Sequence, residues 1–288
     1  MVGARVDTAE RKAVTRPISL APLTVLELGP AEMVDCAAQA GFDAVGLRLI
    51  GATEAEPLRP TIGMTPLIRE TRRRLDDTGL ALVDIEVLRL TPQTRIRHDF
   101  AAFLETGAYL GASQILVTGN DPDHGRLTDH LAELADLAAD YALTPNLEPM
   151  PWTEVENLQQ AAAIVARSAH PNVGLLVDAL HYDRALNTPV DLAALPSAWF
   201  RYVQICDGVP ERPTTIEALR YQGRNARLFP GAGNIDLVGM LRALPNDVPV
   251  SVEAPVLWQA PAIDRSRAAL RGARKVLELA YADCRYLA

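Results

Sequence analysis

The chain has 288 residues, 49% hydrophobic and 22% charged, a composition that can bury a sizeable core and excludes a disordered protein. Its formal net charge of −8 argues against nucleic acid as a partner, because phosphate binding needs a concentrated basic face. No run approaches the roughly 18 apolar residues of a membrane span, and Cys36, Cys206 and Cys284 are too widely spaced for a disulfide framework or a metal knuckle, so a cytoplasmic protein with no membrane contact is expected.

Met1–Arg16 is polar and charged where a secretory signal needs an apolar core, and reads as a flexible arm over residues 1–16. Ile18–Leu20 is a short first strand. Pro30–Ala40 has helical periodicity and stops at Gly41, Ala44–Leu49 is a second strand, and Pro66–Thr78 is a helix stopped at Gly79. Ala81–Val87 follows as strand three. Helix Arg97–Leu110 closes at Gly111, strand Gln114–Thr118 follows, and Thr128–Tyr141 is a helix rich in Ala and Leu. Strands Thr144–Glu148, Val173–Asp178, Phe200–Ile205 and Pro249–Glu253 complete the set, with helices at Glu154–Ser168, Ile235–Leu244 and Arg265–Ala282. Eight βα units without a break in composition predict an α/β protein built as a single (β/α)8 TIM barrel over residues 17–288, with an insertion at 208–234.

The last four strands each carry a polar residue at or near the C-terminal end: Glu148, Asp178, Gln204 and Glu253. A parallel barrel brings such ends to one mouth. Two glutamates, an aspartate and an amide oxygen would make a hard, mostly oxygen site of the kind Mg²⁺ or Mn²⁺ prefers. The first two gaps between these residues each match one βα unit, and the third is long because of the Pro210–Gly233 segment, read as a loop over the mouth.

Leu147-Glu148-Pro149, Val177-Asp178-Ala179-Leu180-His181, Tyr202-Val203-Gln204-Ile205-Cys206-Asp207, Arg227-Leu228-Phe229-Pro230-Gly231-Ala232-Gly233 and Val252-Glu253 resemble the sugar phosphate isomerase/epimerase family, the xylose-isomerase-like barrels, over nearly the whole chain. The resemblance implies a divalent cation, Mn²⁺ first with Mg²⁺ or Co²⁺ as alternatives, held by Glu148, Asp178, Gln204 and Glu253. It also implies that His181 touches substrate oxygen and that Arg227 contacts substrate. Many members carry His where this chain has Gln204, and members similar to 3-dehydroshikimate dehydratases also carry Gln there. The implied activity is therefore isomerisation or epimerisation of a keto-sugar or related polyol, with a metal-dependent lyase as an alternative and a non-catalytic sugar-binding barrel as another.

Chemically, Glu148 and Glu253 would move protons beside a carbonyl, with His181 as an acid if a hydroxyl departs. Arg48, Glu86 and Arg89 lie near the ends of strands two and three, suited to hydroxyls or a carboxylate; Trp152 offers an apolar wall. Arg220, Arg224 and Arg227 suit an anionic or polyhydroxyl ligand, and removal of Arg227 is expected to cost catalysis far more than folding. Asp207 reads as orienting the insertion or Gln204. His98, His124, His130 and His170 lack ligand spacing. The expected partner is a small carbohydrate or cyclic polyol, and a homo-oligomer is compatible with the sequence.

Overall fold

The computed structural model describes residues 16–53 and 56–282. The arm expected over 1–16 lies outside them, apart from Arg16, as does Cys284. Buried Arg16 donates to the Pro245 carbonyl and lies over the Tyr281 ring.

Among the described residues nine strands run parallel: β1 Ile18–Leu20, β2 Ala44–Arg48, β3 Ala81–Leu90, β4 Gln114–Gly119, β5 Thr144–Glu148, β6 Gly174–Leu175, β7 Val177–Asp178, β8 Val203–Ile205 and β9 Val250–Val252. Strand β6 pairs with β5 and β7 pairs with β8, so the two are halves of one strand separated at Leu176, while β1 pairs with both β2 and β9. The sheet therefore closes into an eight-stranded barrel. Around it run α1 Pro30–Ala40, α2 Pro66–Thr78, α3 Ile96–Leu110, α4 His124–Ala139, α5 Leu158–Ser168, α6 Ala179–Arg184, α7 Pro189–Ala193, α8 Ile216–Asn225, α9 Leu237–Ala243 and α10 Ala262–Tyr281. No described helix is long and apolar enough to cross a membrane.

The local chemistry sets these boundaries. Gly41, Gly79 and Gly111 end α1, α2 and α3 in the left-handed conformation, at φ 92°, 69° and 86°, where a side chain would be strained. Helix α4 begins earlier than its Ala/Leu periodicity because the Asp123 carboxylate accepts from the N–H groups of Gly125 and Arg126. Helix α5 begins later, at the cap supplied by Asn157. The segment read as a loop over the mouth contains α8, capped by Thr215.

A large apolar cluster fills the space between strands and helices, and a smaller one joins Ala44, Val83, Val87, Leu116, Leu176 and Tyr202. Leu176 and Tyr202 stand two residues before Asp178 and Gln204, and side chains two apart share a face of a strand. They therefore form a layer of barrel interior directly below those polar ends. This layer also holds buried polar groups without a hydrogen-bond partner among the described residues, including Asp84, Tyr202 Oη, Ser19 Oγ and Ser251 Oγ. Gly46 makes room for Asp84, since a Cβ there would stand 2.5 Å from Asp84 Oδ1.

Candidate functional site

The barrel brings the predicted strand-end residues to one mouth. Glu148 ends β5, Asp178 ends β7, Gln204 lies in β8 opposite Asp178, and Glu253 follows β9; all four are buried. Asp178 also caps α6. Its Oδ1 accepts from the His181 backbone N–H at 3.0 Å, and this places the His181 ring over the site, with Nε2 3.9 Å from Glu148 Oε1 and 3.8 Å from Asp178 Oδ1. Glu148, Asp178 and His181 thus offer three ligand atoms within 4.8 Å of one another.

Arg227, buried at 2% exposure, enters from the insertion and ties the carboxylates together. Its Nη1 donates to Asp178 Oδ2 at 2.6 Å and to the Glu253 carbonyl at 3.1 Å, its Nη2 lies 3.0 Å from Glu253 Oε2, and its Nε donates to the Gly223 carbonyl at 2.7 Å. Gln204 Nε2 reaches the other Glu253 oxygen at 3.5 Å. Glu148 Oε1 and Gln204 Oε1 are buried acceptors with no donor among the described residues. Two oxygens left bare at this cluster fit a hard cation, and Glu148, Asp178 and His181, whose ligand atoms converge, could hold it.

Burial sets the protonation of these groups, and their neighbours modulate it. Burial, reinforced by Asp178 and Glu253, raises the Glu148 carboxyl well above its ordinary value. Burial raises Glu253 to about 7 against the pull of Arg227. Asp178 goes the other way: burial would raise it, but Arg227 and the N–H of His181 hold it below the usual range. Burial pushes His181 down to about 4, so its ring is neutral near pH 7. Cys206, whose Sγ accepts from Arg227 at 3.5 Å, is pushed up to about 12 by burial and is an inert thiol.

Above the cluster opens a cavity of about 750 Å³ lined by Glu148, His181, Glu253, Arg227, Arg48 and Trp152, among others. Trp152 meets the His181 ring edge-on at 4.7 Å and rests on Gly223 of α8, where a Cβ would stand 2.4 Å from the indole. Arg48 reaches the cavity between Glu86 at 2.7 Å and Glu56 at 3.2 Å. Glu86 is fully buried, accepts from Arg48 through Oε1 and is not among the residues lining the cavity. Asp207 accepts from the N–H groups of Gly208, Gly231 and Ile235 and pairs with Leu228, closing the two ends of the insertion. None of His98, His124, His130 and His170 lines the cavity. Glu56 and Asn120 also line this wall and Asp84 lies buried beneath the site; of the three only Asp84, an acid two positions before Glu86 in an apolar strand, carries a local sequence signal.

The model of the xylose isomerase-like TIM barrel family matches residues 34–276. The chain belongs to that family. It is 29% identical over 185 residues to a 3-dehydroshikimate dehydratase of Pseudomonas aeruginosa, a match covering 60% of this chain and 28% of that protein's length. A solved structure of IolI protein with a bound zinc atom superposes with a TM-score of 0.76 at 20% identity, covering 91% of this chain and 98% of the other. A D-allulose 3-epimerase from Methylomonas sp. in complex with D-allulose superposes with a TM-score of 0.64 at 17% identity, covering 91% and 98%. At such identities the likeness to the two structures is one of fold.

Proposed function

We propose that this protein is a divalent-metal-dependent enzyme that removes a proton beside the carbonyl of a polyhydroxylated ketone and then expels the hydroxyl beta to that carbonyl as water. One observation carries the reading. Of the two glutamates, Glu253 is engaged by Arg227 and Gln204, whereas Glu148 keeps an oxygen without a partner on the cavity wall and has His181 beside it.

In the cavity Glu148 is the base for the C–H proton. A bound divalent cation would supply the Lewis acidity that stabilises negative charge on the carbonyl oxygen, and its field would keep Glu148 ionised despite burial. The proton taken up by Glu148 would then pass to the departing hydroxyl, which leaves as water; neutral His181, on the same side, would donate an N–H hydrogen bond to that oxygen, with Trp152 against its ring. Arg227 fixes Asp178 and Glu253 so that their oxygens converge. Gln204 at the metal position and the match to a dehydratase support this outcome over others.

Isomerisation or epimerisation is the second reading. It rests on Glu253, whose carboxyl near pKa 7 could return a proton from across the site. Incubating the Mn²⁺-loaded protein with 3-dehydroshikimate, inosose-like cyclic ketones, ketopentoses and ketohexoses separates the two. Elimination leaves a conjugated product lighter by one water, while isomerisation conserves mass. Glu148→Gln should abolish either reaction in a folded protein, and turnover surviving that substitution would overturn the assignment.

A further inference from the structure

The arginines around the cavity are not all ion-paired. Arg48 is matched by Glu56 and Glu86, Arg227 by Asp178 and Glu253, and Glu27 at the rim pairs with Arg265. Three arginines on the same wall, Arg89, Arg220 and Arg224, make no ion pair within 4 Å among the described residues, Glu56 acting on Arg89 and Arg224 only from farther away. Arg89, at the end of β3, is anchored through backbone carbonyls, donating to Ala52 and, at 3.5 Å, to Gly51. Arg220 and Arg224 stand one turn apart on α8. Burial lowers the Arg224 pKa, and so does the like charge of Arg220, Arg89 and Arg48, with Glu56 opposing them. Arg89 is lowered by burial and by Arg48 against the pull of Glu56.

Like charges gathered at a partly buried wall are unfavourable unless an anion completes them. Resting this step on the reading of the cavity as the active site, we propose that Arg89 and Arg224 bind a carboxylate of the substrate, with Arg220 reinforcing the field. The proton-transfer pair Glu148 and His181 lines the same cavity, so one polyol ring can be held by its carboxylate at these arginines while its carbonyl side faces Glu148.

The ends of the elements favour a carboxylate over a phosphate. Arg224 lies in the last turn of α8, so the helix presents its carbonyl end toward the mouth and opposes a second negative charge, whereas a phosphate site commonly uses a helix N-terminus. Two planar guanidinium groups match the two oxygens of a carboxylate. The position of α8 is itself fixed from below, because Gly223 lies against Trp152 and its carbonyl accepts from Arg227.

Calorimetric titration needs no turnover, so it tests this proposal apart from the proposed reaction. Shikimate, its methyl ester and sorbitol 6-phosphate would be titrated into the metal-free protein and into Arg89→Gln, Arg224→Gln and Arg224→Lys, each checked for an unchanged circular dichroism spectrum. Shikimate should bind about tenfold or more tighter than its ester, as a charge-assisted pair implies. Arg89→Gln and Arg224→Gln should each erase most of that preference, and Arg224→Lys should keep part of it. Equal binding of acid and ester, a preference surviving both Gln variants, or tighter binding of the phosphate would overturn the proposal. If the carboxylate preference holds while no ketone undergoes proton exchange, the proposed reaction fails and the anion site stands.

Discussion

Arg227→Ala tests how the site is held together. The sequence presents Arg227 as a substrate contact whose loss would spare the fold, but the structure buries it between Asp178 and Glu253 with five polar contacts. Removing one partner of a buried ion pair costs about 3–5 kcal/mol because the remaining charge is stranded. Two carboxylates are stranded here, yet both can take up protons and Glu253 already sits near 7, so the lower end, about 3 kcal/mol, applies. At ~2–4 °C per kcal/mol this is a fall in Tm of roughly 6–12 °C. A carboxyl whose folded pKa is raised loses stability as pH climbs from its unfolded value, 4.5 for Glu253, through its folded value. Removing the arginine raises the folded pKa values further, so the gap between wild type and variant should be wider at pH 8 than at pH 5. Mn²⁺ should narrow it, since a cation among the same oxygens replaces the lost charge. Thermal unfolding followed by circular dichroism, in chelator and in Mn²⁺ at both pH values, reads all three effects. A Tm within about 2 °C of wild type in chelator at pH 8, or a gap that Mn²⁺ leaves unchanged, would refute the reasoning.

Three further outcomes are expected. His181 should stay neutral down to about pH 4 in the metal-free protein, so its contribution to stability is intact above 6.5 and lost as pH falls from 6.5 through 4; imidazole NMR titration of wild type against His181→Gln checks this, and a His181 midpoint near 6.5 would contradict it. Gly223→Ala should push Trp152 off the His181 ring, costing about 1–3 kcal/mol by overpacking; altered tryptophan fluorescence with reduced kcat is expected, and unchanged values of both would remove Trp152 from the support of the site. Glu56→Gln should loosen Arg48 and raise KM more than it lowers kcat, because Glu56 touches the arginine and none of the proton-transfer pair.

The parts of the fold legible in the sequence are those with local signals. Glycines stopping α1, α2 and α3, and polar residues ending successive apolar strands, are short-range patterns, and they located the barrel and the convergence of Glu148, Asp178, Gln204 and Glu253. Contacts between distant segments were not legible. Nothing local to Arg227 says that its guanidinium bridges Asp178 and Glu253, and Glu86 looks like a rim residue until it is seen buried and accepting from Arg48. Helix α8 was missed because Pro210, Pro213 and the glycines around it dominate a segment with little apolar periodicity. The division of one strand into β6 and β7 has no sequence signal that we identify.

Proton exchange in D₂O is the most direct test of the account. The C–H beside the carbonyl of a turned-over ketone should exchange, or its deuterium should appear in product, with the Mn²⁺-loaded wild type, and should do so neither after exhaustive chelation nor in Glu148→Gln. Proton NMR reads both the exchange and the product. Turnover that persists without metal, or in Glu148→Gln, would contradict the claim that Glu148 is the base of a metal-dependent enolising site.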